Sequence, residues 1–393
     1  MEQLKSLVEF ELSGKIVFVR SDLNVPLDVN GKILDDTRIK ASIPTINYAL
    51  KNGATVLVTS HLGRPEEGFY DETLSLAPVV KKLEKLTNKK IRLIKNWCNK
   101  KVKFFSGELV VLENCRFNVG EMDNNFELAD KMSQMFDIYV NDAFGTAHRK
   151  EATVSKLAQL KEARCAGFLF LKEVDALTKA FNNPKKPLLA ILGGAKVSSK
   201  LNLLYSLIGS VDYLIVGGGI ANTFLKSRGI EVGRSIHEAK LVSTANEIID
   251  LASIKNVEMP LPSDVIVAES PESLQTIRLT NVENINKKEM ILDFGPQTLN
   301  SLKSLVKKSN TIIWNGPLGL FEIDEFASGT NIIAKEIGLS KAYSVIGGGD
   351  TISAINKFNV KDDIDYVSTG GGAFLEFLKD RNLPAISALM GRD

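Results

Sequence analysis

Four of the chain's twelve arginines stand just beyond short apolar runs: Arg38 in "DDTRIK", Arg64 in "SHLGRP", Arg116 in "LENCRF" and Arg149 in "TAHRK". A guanidinium fork matches a carboxylate or phosphate with two parallel hydrogen bonds, so four gathered at one place describe a site for a small polyanion. One such arginine alone is usually a solvated residue or half of a surface ion pair. Here His61 and His148 adjoin two of them, and Asp22, Asn24, Asn141 and Asp142 occupy comparable positions.

The second half of the chain ends its apolar runs differently. "LIVGGGI" (214–220), "SVIGGGDT" (344–351) and "VSTGGGA" (367–373) each close on three glycines, and "AILGGAK" (190–196) on two. Of the 29 glycines, 20 lie beyond residue 185. Glycine at a strand-to-helix turn lets backbone N–H groups approach an anion at the positive end of the next helix, and phosphate is the usual occupant. Lys196 and Lys200 lie within reach of a phosphate tail, and Asp350 and Thr351 offer oxygens of the kind Mg²⁺ takes beside nucleotide phosphates. Each cluster alone is equally consistent with a tight turn or close helix packing; the repetition argues for a site. No Gly-x-x-x-x-Gly-Lys-Ser/Thr box occurs, and Asn222, Ile352 and Leu375 stand where a dinucleotide fold needs its third glycine. Glu322 suits either a helix start or a ribose hydroxyl.

Three scattered cysteines and three scattered histidines give no zinc spacing, no serine-nucleophile motif occurs, and His237 reads as a surface residue. The lone thiols suit a reducing compartment. A net charge of +2 calls for neither nucleic acid nor an anionic membrane, and no apolar run has a membrane-spanning length. A cytoplasmic protein is expected, and a monomer by default.

These residues must be positioned by elements. β-rich runs at 15–20, 55–60, 91–96, 109–114 and 138–143, then at 188–193, 213–218, 264–269, 290–295, 311–316, 343–348 and 365–370, alternate with helical periods such as 76–86, 168–181 and 204–211. This alternation predicts an α/β fold with largely parallel sheets. In such sheets ligands sit beyond the carboxyl ends of the strands. The first half therefore offers cations there and the second half bare backbone. The proline-bearing "NNPKKP" (182–187) marks a domain boundary.

With these motifs in hand, the chain resembles the phosphoglycerate kinase family over essentially its full length. The resemblance rests on "VRSDLNVPL" (19–27), "DDTRI" (35–39), "SHLGRP" (60–65), "LENCRF" (112–117), "NDAFGTAHR" (141–149), "GGAKVSSK" (193–200), "GGGIANTF" (217–224), "NGPLGLFE" (315–322), "IGGGDT" (346–351) and "STGGGA" (368–373). Ser21, Cys115 and the "EEG" at 66–68, where members often carry a basic pair, are small departures.

The resemblance implies two doubly wound, Rossmann-like domains facing across a hinged cleft. Residues 1–170, joined by a tail from about 380 to 393, would hold the phosphoglycerate. Residues 171–187 would form the hinge, and 188–379 would hold the nucleotide. The implied reaction moves a phosphoryl group reversibly from 1,3-bisphosphoglycerate to ADP, giving 3-phosphoglycerate and MgATP. By the same resemblance Asp22, Leu23, Asn24, Arg38, His61, Leu62, Gly63, Arg64, Arg116 and Arg149 bind the glycerate. Lys196, Lys200, Gly295, Glu322, Gly348, Gly349, Asp350 and Thr351 bind the nucleotide, with Asp350 on magnesium. Arg38, Lys200 and the helix start at Gly371 would stabilise the group in transfer. A nicotinamide-dependent dehydrogenase is disfavoured by the missing third glycine. A two-lobed anion receptor would need neither the lysines nor Asp350.

Overall fold

The apolar runs of the first half form β1 (Ile16–Ser21), β2 (Thr55–Thr59), β3 (Arg92–Ile94), β4 (Leu109–Leu112), β5 (Ile138–Asp142) and β6 (Arg164–Ala166). They make one sheet in the order β3-β4-β2-β1-β5-β6, parallel throughout. The second half supplies β7 (Leu188–Leu192), β8 (Tyr213–Val216), β9 (Asp264–Ala268), β10 (Arg278–Asn281), β11 (Met290–Phe294), β12 (Thr311–Asn315), β13 (Tyr343–Ile346) and β14 (Tyr366–Val367). Five of these form a second parallel sheet, β14-β13-β12-β7-β8. The computed structural model describes residues 4–392.

Central strands of both sheets are buried along their whole length, as expected where helices cover both faces. In β1 the alternation sorts the layers. Val17 and Val19 join Leu23, Ile46, Val56 and Leu83 in one apolar cluster, while Phe18 stacks on Phe136 and Tyr139 on the other face. Arg20 shares Phe18's face and is fully buried. The helix Ala77–Thr87 buries Val79, Val80 and Leu83 as a single stripe.

The chain separates into two compact units, one holding the residues up to Asp175 and from Asp380, the other Ala176–Lys379. The division falls inside the helix Phe168–Phe181, upstream of "NNPKKP". Its first turn is anchored in the first unit, where Phe168 N donates to Thr45 Oγ1 at 3.0 Å and Phe170 N to Asp142 Oδ1 at 3.1 Å. Its last turn belongs to the second, where Lys179 Nζ lies 3.7 Å from the centre of the Tyr343 ring. The terminal helix Pro384–Leu389 returns to the first unit, with Ala385 N on Ala147 O at 3.0 Å and Arg164 Nε on Leu389 O at 3.2 Å. No helix among the described residues is long and apolar enough to cross a membrane.

Two points depart from the sequence expectation. β6 and β10 depart from the expected strands, because one is three residues long and the other has three polar residues among its four. β9 and β11 do not join the parallel sheet; with β10 they form a separate antiparallel one. Gly295, after β11, is therefore removed from the glycine edge and opens the helix Pro296–Lys308. Its bareness has a local cause, since a Cβ there would lie 2.3 Å from the Asp264 carboxyl carbon. That carboxylate caps the helix, accepting from Thr298 N at 2.7 Å and Gln297 N at 3.0 Å. Asp264→Ala would orphan these donors and is expected to lower stability by about 2–3 kcal/mol. A urea melt checks this; an unchanged midpoint would contradict the capping role.

Candidate functional site

Each unit presents its own set of groups at the carboxyl edge of its parallel sheet. In the first, β1 leads toward β2 and β5 lies on β1's other side, so the switch point falls between the ends of β1 and β5. Asp22 and Asn24 follow β1, and Arg149 follows β5. Arg38, in the first turn of the helix Thr37–Lys51, donates from Nη1 to Asp22 Oδ1 and to Asn24 O, both at 3.1 Å. Asn24 Oδ1 accepts from Gly63 N at 3.0 Å, and Arg116 Nη1 donates to Gly63 O at 2.8 Å. Leu62 O takes Asn114 Nδ2 at 2.8 Å, and Leu23 N donates to Ser60 Oγ at 2.8 Å. Leu23 and Leu62 bury their side chains in the core, so only their main chain belongs to the site. Arg64 is exposed at the rim, and Arg38, His148 and Arg149 are half-buried.

The charges behind this surface were not legible as a site. Arg20 donates from Nε to Thr153 Oγ1 at 2.8 Å and from Nη1 to Ser21 O at 2.6 Å, and its Nη2 lies 3.5 Å from His61 Nδ1. Arginine can only donate, so Nδ1 of His61 is the acceptor and the proton resides on Nε2. Burial, followed by the charges of Arg20, Arg116, Arg149 and Arg38, holds the His61 pKa well below its ordinary value. His61 is thus a neutral hydrogen-bonding group at pH 7, and four guanidinium groups bear on it. Glu151, absent from the sequence expectation, accepts from Arg116 Nη2 at 2.6 Å and Arg149 Nη1 at 3.3 Å, with Arg20 Nη2 at 3.7 Å. An arginine in the buried run of β1 was a readable signal for Arg20. Nothing in "HRKEA" distinguishes Glu151 from a surface acid.

Glu121 completes the layer, accepting from Thr153 Oγ1 at 2.5 Å. Burial pushes its carboxyl up to about 7, against the opposing pull of Arg20 and the Thr153 hydrogen bonds. The folded state therefore retains a proton that the unfolded chain releases at the ordinary value of 4.5. The stability this contributes is full below 4.5 and is lost as pH rises through about 7. Glu121→Gln cannot lose that proton. Its melting temperature relative to wild type is expected to rise between about pH 5 and about pH 8, and an equal difference at both would contradict the assignment.

In the second unit the switch point lies between β7 and β12. A hydrogen-bonded belt joins the strand ends there. Gly193 N donates to Asn315 O at 2.9 Å, Asn315 Nδ2 to Gly347 O at 2.7 Å, Thr351 Oγ1 to Gly347 O at 3.1 Å, and Gly316 N to Thr351 Oγ1 at 2.6 Å. Lys200 Nζ donates to Gly193 O at 2.5 Å, to Asn315 O at 3.0 Å and to Asn315 Oδ1. All three ammonium protons have acceptors, so any further partner would have to replace one of them. Burial, opposed by Asp350, lowers the Lys200 pKa to about 8. Ser198 N and Oγ on Glu238, at 2.7 and 2.6 Å, pin the loop that carries Lys200 and exposed Lys196.

The glycines divide by role. Gly193 and Gly316 are bare because their backbones press on each other; a Cβ on Gly193 would meet the Pro317 carbonyl oxygen at 1.8 Å. Gly194, by contrast, faces only the Lys200 side chain, and nothing lies within 4 Å of a Cβ placed on Gly349 or Gly371. Gly348, with φ +98°, is the N-cap of the helix Gly349–Lys357, and Gly371, with φ +52°, precedes the helix Gly372–Lys379. Two helix N-termini therefore stand open at this edge. Asp350 is exposed in the first turn of one of them, whereas the Thr351 hydroxyl is buried and committed to the belt.

Beside Gly194, Gly218 and Gly219 lies a cavity of about 280 Å³ walled by Ile236, Met290, Leu292, Phe294, Leu318 and Leu320, with Asn222, Glu322 and Asp350 also contributing. Leu320 N on Leu292 O at 2.8 Å fixes the width of one side. These walls read as ordinary core residues in the sequence. Gly295, Lys196 and Thr351 do not line the cavity. His237 is half-buried with Nδ1 on Ser235 O at 2.9 Å. No group of three His, Cys, Asp or Glu side chains that could hold a metal ion occurs among the described residues.

A model of the family described as phosphoglycerate kinase matches residues 7–381. The chain is similar to the solved structure of phosphoglycerate kinase from Coxiella burnetii, with 47% identity, 99% of each chain covered and a TM-score of 0.94. It is also similar to that of phosphoglycerate kinase from Pyrococcus horikoshii OT3, with 32% identity, 98% of each chain covered and a TM-score of 0.82.

Proposed function

The chain belongs to the phosphoglycerate kinase family, and from that premise we propose how its own residues carry the transfer. The first unit takes the 3-phosphoglycerate part of 1,3-bisphosphoglycerate, and the second takes ADP with its magnesium. One observation carries this reading. The carboxyl edge of the first sheet is built from guanidinium groups in excess over their carboxylates, and that of the second from open main chain beside an apolar slot.

In the first unit Arg116 and Arg149, with Arg64 at the rim, neutralise the substrate's anionic groups. Neutral His61 donates from Nε2. Arg38, tethered to Asp22 and to the Asn24 carbonyl, serves the transferring group. The Leu23, Leu62 and Gly63 main chain shapes the pocket floor. In the second unit the apolar cavity receives the adenine ring, Glu322 takes a ribose hydroxyl, and the amides of Gly348 to Thr351 and of Gly371 receive phosphate oxygens. Lys200 leaves part of its belt to meet a phosphate, and Lys196 assists from outside. We assign Gly295 and the Thr351 hydroxyl no ligand contact. Asp350 would hold the Mg²⁺ that accompanies the nucleotide, and the ion supplies charge neutralisation on the phosphates.

Transfer breaks the bond between phosphorus and the acyl oxygen as an oxygen of the ADP terminal phosphate bonds to phosphorus. The leaving carboxylate has a pKa of roughly 4 and needs no proton, so no general acid or base is required. Negative charge spreads over three equatorial oxygens, and catalysis is positioning and charge stabilisation by Arg38, Lys200 and the Gly371 helix start. Substrates held on separate units react only once the units are brought together and water is excluded; residues 171–187 are the proposed hinge. ATP formation from ADP and enzymatically generated 1,3-bisphosphoglycerate tests the activity directly, and purified protein that makes no ATP would refute it.

Arg38→Ala is expected to lower turnover by about 10²- to 10³-fold while leaving MgADP affinity within about threefold. Equal loss in both, by steady-state kinetics and calorimetry, would rule out a role confined to the transferring group. Lys200 must keep its ammonium to act, and its pKa is lowered to about 8. Activity on free enzyme and nucleotide is therefore expected to fall as pH rises through that value, and Lys200→Ala to abolish both most of the activity and that alkaline limb. A flat kcat/KM profile between about pH 7 and pH 9 would contradict it.

A further inference from the structure

Glu151 is a single carboxylate, 3% exposed, shared by three guanidinium groups: Arg116 at 2.6 Å, Arg149 at 3.3 Å and Arg20 at 3.7 Å. An ordinary structural pair balances its charges, as Arg278 and Glu289 do with two bonds of 2.6 and 2.7 Å. At Glu151 three positive charges meet one negative. Arg116 Nε is buried without an acceptor among the described residues, so this fork still has a donor to give. One edge of the cluster is thus fixed by Glu151, and its positive charge exceeds the one carboxylate it touches.

We propose that Glu151 is a counter-charge for the arginine site: it cancels enough of the field of Arg116 and Arg149 for the phosphorylated glycerate to leave again. This rests on the first unit being the phosphoglycerate site. Burial alone would raise the Glu151 carboxyl, but the charges of Arg20, Arg116 and Arg149 outweigh it and keep the group ionised. A bound phosphate carries up to two negative charges and would meet this cluster at Arg149, whose side chain is 34% exposed, within the field of Arg116 and Arg20 behind it. Charges this close interact through an effective dielectric far below that of water, so one carboxylate changes anion affinity measurably. The arrangement trades tightness for release, which matters because affinity spent equally on ground and transition states adds nothing to turnover.

The sign of the effect separates this role from a purely structural one. Loss of a structural partner weakens binding; loss of a counter-charge strengthens it. The test is calorimetric titration of the full-length chain and its Glu151→Gln variant with 3-phosphoglycerate and, separately, inorganic phosphate, at two ionic strengths. Glu151→Gln is expected to bind both about threefold to tenfold more tightly, with a steeper salt dependence, and to show KM and kcat falling together. Glu151→Asp keeps the charge and is expected to stay within about twofold of wild type. Weaker binding by Glu151→Gln, with a wild-type melting transition, overturns the proposal. If that variant does not fold, Glu151→Asp decides: retained affinity supports the counter-charge, and a larger loss overturns it. Wild-type protein that fails to bind 3-phosphoglycerate overturns the reading of the site itself, and this inference with it.

Discussion

Every strand of a parallel sheet delivers its carboxyl end to the same edge, and the chain must turn sharply there with its polar groups satisfied. Both units of this protein are organised by that constraint, and they meet it in opposite ways. In the first, side chains do the work: Asn24, Asn114 and Arg116 take the loop amides and carbonyls around Gly63. In the second, backbone meets backbone, and Asn315 and Thr351 close the belt between β7, β12 and β13. What remains distinguishes the two edges. One edge keeps surplus guanidinium donors, and the other keeps two open helix starts beside an apolar slot.

The buried charges behind the first edge set its chemistry. Arg20 is wholly enclosed, and it is tolerable there because Thr153, the Ser21 carbonyl and Glu151 surround it. Burial first, and then the charges of Arg20 and its neighbours, keep His61 neutral and so turn a potential cation into a directional donor. Glu121, one step further in, sits near the boundary between its two protonation states. A layer of this kind holds buried Arg116 and half-buried Arg149 through Glu151 without enlarging the exposed charge. On the second unit Lys200 is held in the same sense, by carbonyl oxygens rather than by a carboxylate.

Much of this was legible from residue order. The alternation of apolar runs and helical periods placed twelve of the fourteen strands among the described residues and put Arg64, Arg116, Arg149 and the glycine triplets after strand ends. The expectation failed where local sequence carries no information about pairing partners. β9 and β11 have the same apolar look as their parallel neighbours, yet β10 pairs beside β9 and draws both into an antiparallel sheet. Glycine was read as room for a ligand, which describes Gly349 and Gly371, but Gly193 and Gly316 are bare to admit each other. Thr351 stood in a phosphate-like motif and spends its hydroxyl on the belt. Glu151 and the cavity walls Ile236, Met290 and Leu292 were invisible because an acid after an arginine and an aliphatic in a core segment are commonplace.

The central claim is a division of labour between side-chain cations on one unit and open main chain on the other. Hydrogen exchange of the full-length chain, read by mass spectrometry with each ligand added alone, tests it most directly. With 3-phosphoglycerate, protection should appear in peptides containing Asn24, Gly63, Arg116 and Arg149 and leave the second unit unchanged. With MgADP it should appear around Gly194, Gly218 and Gly348–Thr351 and leave the first unit unchanged. Protection of the same unit by both ligands would contradict the account.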